Sequence, residues 1–169
     1  MKKTILAAAT VLFLAACGNK QEATSTETTT APATTEAPAP EPANEMADIA
    51  ISAGDDMKYD ITEIYAKEGQ KVKITLTHTG KAPVAAMGHN FVLLAAGVNM
   101  DEFAKAAAGA KDNDYIPADM ADKVIAHTKT IGGGETTEVE FTAPAKGTYD
   151  FLCSFPGHYG MMKGQFIVE

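Results

Sequence analysis

Cys153-Ser154-Phe155-Pro156-Gly157-His158-Tyr159-Gly160-Met161-Met162 is the stretch from which the rest of the chain can be read. It places a thiol, an imidazole and two thioethers within ten residues. Before it, Tyr149, Phe151 and Cys153 alternate with Asp150 and Leu152, the period of a strand with one buried face. After it, Phe166 and Val168 alternate in the same way. The segment is therefore expected to be a loop between two strands, with Cys153 at the end of the first. Pro156 has no N–H to donate inside that loop. Gly157 permits backbone angles that a larger residue resists.

Working outward, short strand patterns recur between turn signals across residues 46–169. They fall at Ala47–Ser52, Ile61–Ala66, Phe91–Ala95, Lys123–Thr128 and Thr136–Thr142. Val72, Ile74 and Leu76 alternate with Lys71, Lys73 and Thr75 in a further strand. Gly132-Gly133-Gly134 and Pro144-Ala145-Lys146-Gly147 read as turns. One segment breaks the pattern. Residues 99–109 read as a helical insertion, with Asn99 as N-cap and Glu102 three residues later. Many short strands with one helix predict an all-β, Greek-key sandwich or barrel.

The chemistry of the loop gains a partner far upstream, in Gly88-His89-Asn90. Two imidazoles, one thiolate and a weak axial thioether are the donor set of a blue copper site. Soft thiolate and imidazole suit both Cu(I) and Cu(II), so little rearrangement accompanies one-electron transfer. Other readings of the same residues stand beside it. Cys153 could be a buried core thiol, since free cysteine is often buried. A zinc site would want four strong ligands, often paired cysteines. A Cys–His nucleophile pair would need an exposed thiol and an orienting third group.

Over nearly all of 46–169 the chain resembles the azurins of the cupredoxin family. The matching segments are Met87-Gly88-His89-Asn90, then Val124-Ile125-Ala126-His127-Thr128-Lys129 with Ile131-Gly132, and the Cys-x4-His-x3-Met spacing of Cys153, His158 and Met162. The resemblance implies one type 1 copper ion. Its strong ligands would be His89, Cys153 and His158, with Met162 weak and axial and the Gly88 carbonyl on the opposite side. Asn90, Phe155 and Pro156 would support the ligand loop. Electrons would leave by the His158 edge, through a small apolar surface of Met87, Pro156, Gly157, Tyr159 and Met161. An electron carrier rather than an enzyme is implied. Its partners would be transient: respiratory, peroxide-reducing or nitrite-reducing redox proteins, with the carrier a monomer. A copper-buffering lipoprotein without redox traffic is the alternative. The chain departs from azurins in three places. It lacks the cysteine pair near the domain start, it has Phe91 where many have Trp, and it has Tyr159 after the second ligand His. His78 falls on the buried face with Val72, Ile74 and Leu76, and is expected to be a half-buried structural histidine. His127 is expected to face solvent or a partner.

The N-terminal part has a different character. Lys2 and Lys3 precede a short apolar run from Ile5 to Leu14, too short to span a bilayer comfortably. Residues 1–16 are expected to be a signal peptide. Leu14-Ala15-Ala16-Cys17 resembles the lipobox of bacterial lipoproteins, in which the Cys is lipidated and becomes the first mature residue. That would place the protein outside the cytoplasm, anchored to a bacterial membrane on the periplasmic face or cell surface. It would also leave Cys153 as the only thiol. Residues 17–45 are rich in Thr, Ala, Pro and Glu, with nothing aliphatic larger than Ala. Such a segment has no core to offset ordering entropy and is expected to be a disordered tether. The 169 residues include no Arg and carry a net charge of -8. A nucleic-acid partner is excluded, because phosphate neutralisation needs a basic patch.

Overall fold

A computed structural model of the chain describes residues 45–169. The expected signal peptide and all but the last residue of the expected tether lie outside them. Among the described residues are eight strands: β1 (Ala47–Ala53), β2 (Glu63–Ala66), β3 (Lys71–His78), β4 (Val92–Leu94), β5 (Val124–His127), β6 (Thr136–Thr142), β7 (Gly147–Leu152) and β8 (Lys163–Val168). Two short helices, α1 (Val84–Met87) and α2 (Met100–Ala107), interrupt them. One sheet has the order β1-β3-β6 and the other β2-β8-β7-β4-β5. The all-β, two-sheet expectation is met, and each expected strand appears close to its expected bounds.

The burial pattern explains the pairing. In β3, Val72, Ile74, Leu76 and His78 are fully buried, while Lys71, Lys73, Thr75 and Thr77 alternate toward solvent. A one-residue slip would exchange those faces, so the register is tightly specified. Burial of each large apolar side chain contributes about 1.5–3 kcal/mol. β4 differs, because Val92, Leu93 and Leu94 are all fully buried. A strand buried on both faces does not alternate. The stretch between β4 and β5 adds Phe103, Ala107, Tyr115, Ile116 and Met120 to the same core.

The helix expected over 99–109 is shorter, Met100–Ala107, but has the expected start: the Asn99 side chain accepts from the Glu102 N–H. Its Phe103, Ala104 and Ala107 are buried. α1 and the 3-10 turns Lys111–Asn113 and Ala118–Lys123 were not legible in the sequence. They are too short to set up a hydrophobic period.

Two pairings position the site. β4 and β7 are antiparallel, with Val92 opposite Leu152. The residues just before β4, His89 to Phe91, therefore lie beside those just after β7, from Cys153 onward. A bridge between His89 and Ile131 ties the first segment down. A Cys153 N–H bond to the Met162 carbonyl, at 2.9 Å, closes the loop between β7 and β8.

Candidate metal centre

The ligand atoms of His89, Cys153 and His158 all lie within 4.8 Å of one another. His89 and Cys153 are fully buried and His158 is 4% exposed. The Cys153 Sγ is 3.7 Å from His158 Nδ1 and 3.8 Å from the Gly88 carbonyl oxygen. Gly88 is required at that point. A Cβ there would fall 2.6 Å from the Phe155 ring and 2.7 Å from the Thr130 methyl.

The state of His89 follows from its partners. Its Nε2 lies 2.8 Å from the Gly54 carbonyl, which can only accept, so Nε2 carries the proton. Nδ1 is then a bare lone pair. It is buried and, among the described residues, is the buried side-chain nitrogen or oxygen that has no hydrogen-bond partner. An orphaned buried acceptor is costly unless something else satisfies it. Its place in the cluster beside the Cys153 sulfur fits a metal ion.

Burial also sets the protonation of the set. It pulls His89 below the usual imidazole range. Burial, with the nearby His89 and His78, pulls His158 down to about 4. Burial pushes the Cys153 thiol up to about 12, opposed by backbone N–H groups of Asn90 and Phe155. At neutral pH the two imidazoles are unprotonated donors and the sulfur is a thiol. A metal ion would have to displace one proton, from Cys153.

The remaining expected residues fall as follows. Met162 is fully buried, and its N–H bonds to the His158 carbonyl at 2.9 Å. With the Cys153 N–H bond to its carbonyl, that turn brings the Met162 backbone beside Cys153. The Asn90 side-chain oxygen accepts the Ser154 N–H at 2.9 Å, and its amide donates to Ser154 Oγ and to the Asp114 carbonyl. Asn90 thus joins the two ligand-bearing segments. The Phe155 ring packs at a tilt against the His158 ring, 4.6 Å between centroids. Gly157 has a φ of +84°, where glycine is unstrained. Pro156 and Gly157 are exposed, Met161 is 56% exposed, and Met87 and Tyr159 are half-buried. His127 is exposed.

His78 departs from expectation. It is fully buried, not half-buried, and stacks on His89 at 4.3 Å between ring centroids. Its Nε2 donates to the Met87 carbonyl and its Nδ1 accepts the Gly80 N–H, so both nitrogens are satisfied. Sequence reading missed two further contributors, the Gly54 carbonyl and the Asp114 carbonyl. No residue type signals a backbone oxygen.

Residues 46–169 match the family described as copper binding proteins, plastocyanin/azurin family. The chain belongs to this family. Copper is accordingly its cofactor, and the cupredoxin fold its architecture. Azurin from Alcaligenes faecalis is 44% identical over 124 residues, covering 69% of this chain and 94% of that protein. Outer membrane protein H.8 from Neisseria gonorrhoeae is 43% identical over 119 residues, covering 68% of this chain but 63% of the relative's length. Among solved structures, the dithionite-reduced auracyanin of Roseiflexus castenholzii superposes with a TM-score of 0.64 at 35% identity. It covers 73% of this chain and 97% of that one. The cupredoxin resemblance read from the ligand loop is thus shown for the domain.

Proposed function

We propose that this protein is a membrane-anchored carrier of single electrons. Its copper would be held by His89, Cys153 and His158, with Met162 and the Gly88 carbonyl as weaker donors. The observation that carries this reading is the bare, buried Nδ1 of His89 converging with a buried thiol and a second imidazole. When bound, copper supplies a Cu(I)/Cu(II) couple.

The chain's own residues do the rest. Gly54 fixes the His89 tautomer and so aims its lone pair inward. The fully buried Cys153 and Met162 keep water from the sulfur donors. Asn90 holds the His89 and Cys153 segments in one arrangement, so the donors need not move between charge states. A buried thiol with no exposed edge also disfavours nucleophilic catalysis. His158 is the least buried member of the cluster, and the apolar Pro156, Gly157 and Met161 around it offer a small docking surface. Small contacts suit brief encounters with redox partners. Anchoring by a lipid on Cys17 would raise the local concentration of carrier near membrane partners. The H.8 relatives, named as outer membrane proteins, support that location.

The test is the visible and EPR spectrum of the full chain loaded with Cu(II), followed by ascorbate and then reoxidation. The expected result is an intense blue band, small copper hyperfine splitting and reversible bleaching. Pale or colourless copper binding would overturn the electron-carrier reading in favour of copper buffering. For the anchor, Cys17→Ser should release the protein from the membrane fraction. Unchanged sedimentation with membranes would refute lipidation at Cys17.

A further inference from the structure

The stretch between β4 and β5 does more than cover β4. At its centre, Asp114 and Tyr115 adopt consecutive left-handed conformations, with φ of +50° and +60°. Neither is glycine, and two adjacent residues in this region are strained unless the surroundings hold them there. The contacts that hold them lead to the metal loop. The Asp114 carbonyl accepts the Asn90 amide at 2.8 Å, and the Asn90 oxygen accepts the Ser154 N–H next to Cys153. The Asp114 carboxylate accepts the Thr130 N–H at 2.8 Å, and the Thr130 hydroxyl reaches the Asp114 carbonyl at 3.4 Å. Tyr115, buried, anchors its own N–H on the Ala110 carbonyl at 3.0 Å. Its ring meets Phe155 edge-on at 5.0 Å, and Phe155 in turn packs at a tilt against His158.

We propose that Asp114 and Tyr115 are positioning residues of the copper centre. Asp114 fixes the acceptor that orients Asn90, and hence the Cys153–Ser154 backbone. Tyr115 fixes the Phe155 ring against which His158 rests. The left-handed pair is what turns the Asp114 carbonyl and the Tyr115 ring toward the same loop from one corner. Two ligands that lie five residues apart on that loop are therefore braced at separate points. The carboxylate acts separately from the carbonyl, because by holding Thr130 it keeps the corner from sliding away from Asn90.

This inference rests on the copper-centre reading above. It is tested in the full, copper-loaded chain with Asp114→Asn, Asp114→Gly, Asp114→Ala, Tyr115→Phe and Tyr115→Ala. Two quantities are read: the visible and EPR signature, and the rate at which a Cu(I) chelator withdraws copper after reduction. Asp114→Asn keeps an acceptor and tolerates φ > 0, and Tyr115→Phe keeps the ring, so both should behave like the parent. Asp114→Gly accepts the backbone angle without strain and loses only the carboxylate, so it should fold even if Asp114→Ala does not. Asp114→Gly and Tyr115→Ala should release copper about tenfold faster, the lower end of what outer hydrogen-bond partners of metal ligands contribute. Their charge-transfer bands should also shift. Ile74→Val, in the other sheet, serves as a control for general loosening. Asp114→Gly and Tyr115→Ala spectra identical to the parent, with release no faster than in Ile74→Val, would overturn the inference. So would Asp114→Asn behaving like Asp114→Gly. A parent chain that is not blue would overturn the copper-centre reading itself, and this inference with it.

Discussion

The buried donor set makes a quantitative prediction about protons. The perturbation is pH, and the readout is the number of protons released as the metal-free protein takes up one metal ion. With ordinary side-chain values, at pH 6 each of two imidazoles would be about three-quarters protonated and the thiol fully so, and binding would release about 2.5 protons. The folded site differs. His158 sits at about 4, and is about 1% protonated at pH 6. His89 is lowered by burial, and its Nδ1 is already bare. Cys153 sits at about 12 and is a thiol throughout. Uptake should therefore release fewer than two protons at pH 6, and close to one between about pH 7 and 9. Apparent affinity should then rise tenfold per pH unit, so about 100-fold, or about 2.7 kcal/mol, from pH 7 to 9. Zinc is a suitable redox-inert probe of the same donors. Its uptake would be followed by an indicator dye in weak buffer and by chelator competition across the range. Cys153→Ser should abolish the release at pH 7. Two or more protons at pH 6 would show charged imidazoles in the metal-free fold, and the burial argument would fail. None at pH 7.5 would mean a preformed thiolate, which refutes the assigned state of Cys153.

The same shifts set the acid and base limits of the metal-free fold. As pH falls from about 6.5 toward 4, the unfolded chain takes up protons that folded His158 and His89 refuse, so stability should fall, by about 2–3 kcal/mol for His158. Above about 9 the unfolded thiol ionises while Cys153 holds its proton to about 12, so stability should fall again; urea titrations across pH would show a plateau between the two if this is right. Cys153→Ser should lose the intense blue band yet keep the fold, which far-UV circular dichroism of the copper-treated variant would check. Gly88→Ala should cost about 1–3 kcal/mol by forcing a Cβ into the Phe155 ring, and should perturb the copper spectrum; an unchanged melting temperature and spectrum would show that the ring moves freely. Met161→Ala should leave stability within about 0.5 kcal/mol because the side chain is mostly exposed, while slowing electron exchange with partners in stopped-flow assays.

The chain's own pattern determined a good deal. Alternation in β3, β6 and β7 announced strands, because a pleated strand with one buried face must alternate. Asn99 and Glu102 announced the helix, because a cap is a local bond between near neighbours. The Cys153, His158 and Met162 spacing announced a donor-bearing loop, since donor types close together in sequence need no long-range information. Local chemistry of this kind survives in any fold that contains it.

Tertiary structure alone decided the rest. β1 and β2 are consecutive, yet they lie in different sheets and pair parallel to β3 and β8. Nothing in seven or four residues encodes a partner so distant along the chain. His78 reads as half-buried from its strand, but stacking on His89 buries it completely. His89 itself is only a histidine until the Gly54 carbonyl, 35 residues away, accepts the Nε2 hydrogen bond and leaves Nδ1 bare. The Asp114 and Tyr115 corner is likewise silent in sequence, because it acts through a backbone oxygen and a ring edge. Residue type fixes which donors a chain owns; only packing fixes which of their atoms are left without a partner, and those atoms are the ones that can take the metal.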